Sequence, residues 1–136
     1  MAEAQKYTVR AVAKGVDIAP RKVAIVASLV RGRNVADALV ILEHTTRRSA
    51  RPIAKVIASA QANATNNHGL DAKSLVISTL NVTTGPRMKR FKPHMRGMAL
   101  PFQKKSSHIL VEVTGVEKAK KKPVAKKADE AKEEEK

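Results

Sequence analysis

The segment SLVISTLNVTTGPRMKRFKPHMRGMALPFQKKSSHILVEVTGV, residues 74–116, decides how this chain folds. Its two flanks, 74–84 and 107–116, are rich in β-branched residues and alternate in polarity, the period of a strand with one buried face. Ile109, Val111 and Val113 fall on one side, and His108, Leu110 and Glu112 on the other. Between the flanks lies GPRMKRFKPHMRGMALPFQKK, residues 85–105, with seven Lys or Arg and no acid. The same stretch holds both phenylalanines, three of the four methionines and three of the six prolines. A structureless connector of about 20 residues is uncommon in a compact domain. The segment therefore reads as a long hairpin over about 80–108, with its tip near Pro93 to Gly97. An arm of roughly eight or nine residues a side, at about 3.3 Å each, projects roughly 25–30 Å. Isolated two-stranded hairpins are marginal in water, so such an arm needs a partner against which to order.

Upstream, YTVRAVAK (7–14) reads as another strand. Pro20 suits the first turn of a helix that runs to Arg31 and stops at Gly32, with Val23, Val26, Ala27 and Val30 as its apolar face. Asn34 with Asp37 resembles a capping box for a second helix that turns Ala38, Leu39 and Leu42 inward. A third helix runs from about Ser49 to Asn66, with Pro52 in its first turn, where no N–H is required. Its stripe is Ile53, Val56, Ile57, Ala60 and Ala64, and Asn67, His68 and Gly69 end it. The expected fold class is α+β: three helices packed on a small antiparallel sheet, with a long protruding β-hairpin. One domain spans residues 1–116. The remainder, 117–136, is a Lys/Glu/Ala-rich tail whose only apolar residue larger than alanine is Val124. Such a segment cannot offset the entropy of ordering, so a disordered tail is expected.

Among the 136 residues, 27 Lys or Arg stand against 12 Asp or Glu, a net charge of +15 with a pI near 10.5. The tail has eight Lys and six acids, so it contributes only +2, and +13 belongs to residues 1–116. That excess points to a polyanionic partner. No acid occurs between Asp71 and Glu112, a window with eight Lys or Arg. Ordinary surfaces mix signs; a one-sign arm implies that an outside polyanion supplies the counter-charge. The alternative is a merely solvated basic loop. Arg21 and Lys22 stand in the first turn of helix one, and Arg47, Arg48 and Arg51 at or before the start of helix three. Cations there oppose the helix dipole by about 0.3–1 kcal/mol each, an arrangement that makes sense if phosphate approaches those N-termini. The candidate RNA contacts on the body are these five with Arg31, Arg33, Lys55 and His108. On the arm they are Arg87, Lys89, Arg90, Lys92, Arg96, Lys104 and Lys105. Three aromatics, Tyr7, Phe91 and Phe102, are too few for a stacking platform. No helix carries an Asn, Gln and Arg cluster for reading base edges in the major groove. Phosphates and shape are the expected targets, which favours a folded RNA.

Other chemistries find little support. The lack of cysteine excludes disulfides and Cys-ligated zinc. The start, MAEAQKYTVR, has no signal-peptide core, and no apolar run approaches the ~18 residues of a membrane span, so a cytoplasmic protein is expected. His44, His68, His94 and His108 have no metal-ligand spacing, and Ser106, Ser107 and His108 are neighbours on a strand, which is not triad geometry. No enzyme, metal or cofactor is expected. A DNA-compacting protein is the rival from another class. A membrane-surface protein would want a basic amphipathic helix with bulky anchors, and these helix stripes are small and aliphatic.

The motifs also resemble a known family. Gly85-Pro86-Arg87-Met88-Lys89-Arg90, then Pro93 through Gly97, then Lys104-Lys105-Ser106-Ser107-His108-Ile109 resemble the extended hairpin of the bacterial large-subunit ribosomal proteins of the L-twenty-two family. Pro20-Arg21-Lys22-Val23 with Leu29-Val30-Arg31-Gly32 resembles its first helix, and Ser59-Ala60-Gln61-Ala62-Asn63-Ala64 its long helix. The likeness runs in order over about residues 7–114. It implies a globular domain on the outer surface of the large subunit near the peptide exit. It further implies a hairpin that threads ribosomal RNA to the wall of the nascent-peptide tunnel, beside the macrolide site. The implied partners are large-subunit (23S) rRNA, neighbouring large-subunit ribosomal proteins and the nascent peptide, with no cofactor and no membrane. The implied tunnel-lining residues are Met88, Lys89, Arg90, Pro93, His94, Met95, Arg96 and Gly97. Where the family reads Pro-Arg-Ala-basic-Gly-Arg-Ala, this chain has Pro93-His94-Met95-Arg96-Gly97-Met98-Ala99, followed by Pro101, so a bulkier and less cationic tip is expected. Ala19 replaces the Ser or Thr expected as helix cap, a loss of about 1 kcal/mol.

Overall fold

The computed structural model describes residues 7–116; the expected tail, 117–136, lies outside the described residues. The elements run β1 (Tyr7–Val16), α1 (Pro20–Val30), α2 (Val35–His44), α3 (Ala50–His68), β2 (Val76–Pro93) and β3 (Ala99–Gly115). Short 3-10 turns occupy Ala72–Ser74 and Met95–Gly97. The sheet has the order β1-β3-β2, with β3 paired antiparallel to both neighbours. This is the expected α+β arrangement. The basic middle of the long segment is strand rather than loop, since pairing continues unbroken from Arg87↔Lys105 to Pro93↔Ala99.

Strand alternation puts one side of the sheet under the helices. Across it, Val9, Val113 and Ile77 form one buried rung and Ala11, Val111 and Leu80 the next. Ile53, Val56, Ile57, Ala60 and Ala64 of α3 and Val23, Val26, Ala27 and Val30 of α1 close the core from above, as their helical spacing requires. Fully burying a Val, Leu or Ile side chain contributes about 1.5–3 kcal/mol, so these stripes hold the helices down.

Several termini differ from the sequence reading. Asn34 does stand before α2, but its side chain makes no capping bond. Its backbone is held extended by the edge of β2: Val35 N–H donates to Leu75 O at 3.0 Å and Ile77 N–H to Arg33 O at 3.0 Å. Ser49 likewise leaves its helix uncapped, and its hydroxyl donates to Lys22 O at 3.3 Å. Leu39 is half-buried rather than buried. Ala19 makes no side-chain cap, as expected, and α3 runs to His68 before Gly69 turns left-handed at φ 61°.

Both outer strands bulge against β3, and β3 itself has no extra residue. Residues between Ala13 and Val16 bulge from β1; residues between Ile77 and Thr79 and between Thr84 and Arg87 bulge from β2. A bulge leaves ladder groups unpaired, and here side chains replace the missing bonds. His108 Nδ1 accepts from Gly15 N–H at 2.9 Å, Ser78 Oγ donates to Glu112 O at 3.0 Å, and Ser106 Oγ donates to Pro86 O at 2.7 Å. Two of these bulges lie at one level, where β1 ends and the arm leaves the body.

Candidate nucleic-acid interface

The body's predicted cations converge because α1 and α3 begin side by side. The Ser49–Lys22 bond ties the two N-termini together. Lys22, Arg47 and Arg48 line a hollow of about 470 Å³ with Asp17, Ile18, Ala19 and Ser49. Arg47 and Arg48 also border a second, of about 730 Å³, which adds Arg51 against Leu39, Leu42 and Ala54. Lys55 lies one turn beyond Arg51 on α3, and both are exposed, as is Arg21. Lys22 from α1 and the Arg47, Arg48 and Arg51 cluster at the start of α3 thus share one surface, with Asp17 and Glu43 at its borders.

Arg31, Arg33 and His108 do not join this surface; each is engaged within the protein. Arg31 Nε donates to Leu80 O at 3.0 Å, on the outer edge of β2, and Arg33 Nε to Leu29 O at 2.9 Å. His108 is half-buried with Nδ1 taken by the Gly15 amide, so only Nε2 is left for another partner. Their sequence positions offered no warning for the arginines. For His108 the signal was Gly15, a glycine inside a strand, which marks a bulge.

On the arm, Arg87, Lys89, Arg90, Lys92, Arg96, Lys104 and Lys105 are all exposed. Directly opposed residues of antiparallel strands share a face. One face therefore carries Arg87 with Lys105, Lys89 with Gln103, Phe91 with Pro101, and Pro93 with Ala99. The other carries Met88 with Lys104, Arg90 with Phe102, and Lys92 with Leu100. Lys104 Nζ reaches Asp17 at 2.7 Å, the one salt bridge among the described residues, with both side chains more than half exposed. Asp17 was not singled out from the sequence, yet it links the arm's root to the rim of the basic hollow. An exposed pair of this kind contributes about 0.2–1 kcal/mol.

The tip is a tight turn. Arg96 (φ 53°) and Gly97 (φ 75°) are both left-handed, and Met98 N–H donates to Met95 O at 3.2 Å. Two left-handed central residues define the primed turn that matches the twist of a hairpin. Of the eight residues expected to line a tunnel, Met95, Arg96 and Gly97 belong to this turn, His94 precedes it and Pro93 ends β2 opposite Ala99. Met88, Lys89 and Arg90 lie back on the shaft, opposite Lys104, Gln103 and Phe102. At the strand rise, Met88 is about 17 Å short of Pro93. His94 and the three methionines are exposed.

Residues 11–114 match the family described as ribosomal protein L22p/L17e. The chain belongs to this family. The L22p/L17e match spans both hollows and the whole arm, and so every candidate residue named above. Large ribosomal subunit protein uL22 of Thermosipho africanus is 49% identical over 114 residues, covering 84% of this chain and 77% of that protein. The uL22 protein of Metamycoplasma hominis is 46% identical over 99 residues, covering 73% and 77%. Among the described residues, no helix is long and apolar enough to cross a membrane.

Proposed function

We propose that this chain is a structural constituent of the large ribosomal subunit that binds and organises large-subunit rRNA. The observation that carries the reading is the arm itself: a paired hairpin with seven cations, no acid and exposed apolar side chains. Thin, charged and without a core of its own, it fits a cavity whose walls are phosphate and base. The Lys22, Arg47, Arg48 and Arg51 surface anchors the body on RNA at the same time. Neighbouring large-subunit proteins are its other partners. The turn from Pro93 to Gly97 lines the nascent-peptide exit tunnel. With His94, Met95 and Met98 where the family pattern given by the resemblance has Arg, Ala and Arg, that wall is bulkier and less cationic here.

The test is sedimentation of cell lysate on a sucrose gradient. The chain is expected in the large-subunit peak and to stay there at moderate salt. Absence from that peak refutes the reading. A DNA-compacting protein would instead bind any duplex with comparable affinity, whereas this chain should prefer folded ribosomal RNA.

A further inference from the structure

We propose that the two faces of the arm have different partners, and that the face bearing Met88 and Lys104, Arg90 and Phe102, and Lys92 and Leu100 is a track for a strand of unpaired RNA. This rests on the ribosomal reading and adds which surface makes the contact and which kind of nucleotide it takes.

Every rung of this face sets one cation beside one apolar side chain. Same-face rungs recur about every 6.6 Å along a strand. A base-paired helix would use the cations, through its phosphates, but its bases are stacked inside and offer little to three apolar side chains. An unpaired strand offers both groups, a phosphate for Arg90 and Lys92 (Lys104 is paired with Asp17 at the arm's root) and a base face for each apolar neighbour. Met88, Leu100 and Phe102 are 50, 45 and 48% exposed, so about half of each side chain stays open to a partner. Arg90 is spread on the same face, its Nη1 donating to Lys89 O at 2.9 Å and its Nη2 3.8 Å from Met88 Sδ. A planar guanidinium laid along the strand is a stacking surface for a base as well as a cation.

The opposite face changes along its length. It begins with two cations at Arg87 and Lys105, falls to one at Lys89 beside Gln103, and has none at Phe91 with Pro101 or at Pro93 with Ala99. Its outer half has no counter-charge for phosphate, although Phe91 is the most exposed of the arm's large apolar residues at 71%. That half stands clear of RNA. Three aromatics alone cannot make a platform; the register places Met88 and Leu100 on the same face as Phe102 and so extends it.

The experiment uses large subunits that carry the full chain with a benzophenone amino acid in place of Phe102 or, separately, of Phe91. After irradiation, attached nucleotides are mapped by primer extension. Position 102 is expected to attach to unpaired nucleotides of large-subunit RNA at least fivefold more than position 91. Equal or greater RNA attachment from position 91, or attachment from 102 only to paired nucleotides, overturns the proposal. A chain missing from the large-subunit peak before irradiation refutes the ribosomal reading instead. Should the probe block incorporation, Phe102→Ala and Phe91→Ala subunits are washed with rising salt. Phe102→Ala should be released at the lower salt; equal release or the reverse order overturns the two-faced arm.

Discussion

Ser106 and Ser107 are neighbours on β3 and both are buried, but their hydroxyls have opposite circumstances. Ser106 Oγ donates to Pro86 O at 2.7 Å across the bulge at the arm's root, whereas Ser107 Oγ has no partner. A typical hydrogen bond contributes about 0.5–1.5 kcal/mol net, and a buried unsatisfied group costs about 1–3 kcal/mol. Ser106→Ala should therefore destabilise the free protein by about 1 kcal/mol, while Ser107→Ala should be neutral or stabilising. Urea midpoints at unchanged slope would measure both; a midpoint that falls more for Ser107→Ala than for Ser106→Ala would contradict this account. Gly85 belongs to the same root. A Cβ there would stand 2.6 Å from Ser106 Oγ and 3.2 Å from the Ser106 carbonyl carbon. Backbone cannot give way as a side-chain end can, so Gly85→Ala should cost at least as much as Ser106→Ala in the same titration.

At the scale of elements, the helices and the hairpin were legible because each leaves a period in the sequence. The apolar spacing of 23, 26, 27 and 30 appears unchanged as the buried face of α1. The flanks of the hairpin alternate because one side of the sheet is covered. The shaft from Arg87 to Lys92 has no such alternation, because both its faces are exposed; its strand character had to be inferred from its length and flanks. The bulges were not legible, since they depend on which residues meet across strands. That is why His108, read as an RNA contact, and Ser106, read only as part of a motif, turn out to mend the ladder. The internal bond of Arg31 is hidden for the same reason, its partner being a carbonyl 49 positions away. The arm itself supports a kinetic prediction. Few contacts protect its backbone hydrogen bonds, and segments of that kind open easily. Amides of 87–105 should exchange rapidly in the free protein and slowly in the assembled subunit, as read by mass spectrometry. Strong protection in the free chain would mean the arm supports itself.

For the whole molecule, charge and shape are segregated together. Acids at Asp17, Asp37, Glu43 and Asp71 lie on or between elements of the body and Glu112 lies in the sheet, whereas the arm carries no acid and only Lys104, at its root, is paired with one. Affinity for large-subunit RNA should fall linearly on a log–log plot against salt, with each phosphate contact adding about 0.7–0.9 to the slope. Arg47→Gln should lower that slope by about one such step. Arg31→Gln should act mainly on stability, since its Nε serves Leu80 O. Equal slopes for wild type and Arg47→Gln would remove the hollow between α1 and α3 from the interface.

Because all the bulges lie on outer strands, β3 runs without interruption from Ala99 to Gly115, and its alternation continues from the sheet into the arm. Face identity on the arm is thus a matter of counting. Deleting one residue between Ala99 and Lys105 would shift every side chain outward of it to the opposite side. Phe102 and Leu100 would then exchange places with Pro101 and Ala99. Deleting one complete pair of rungs, two residues from each strand, would shorten the reach by about 6.6 Å and leave both faces as they were. Length variation in this arm should therefore be tolerated in twos and selected against in ones.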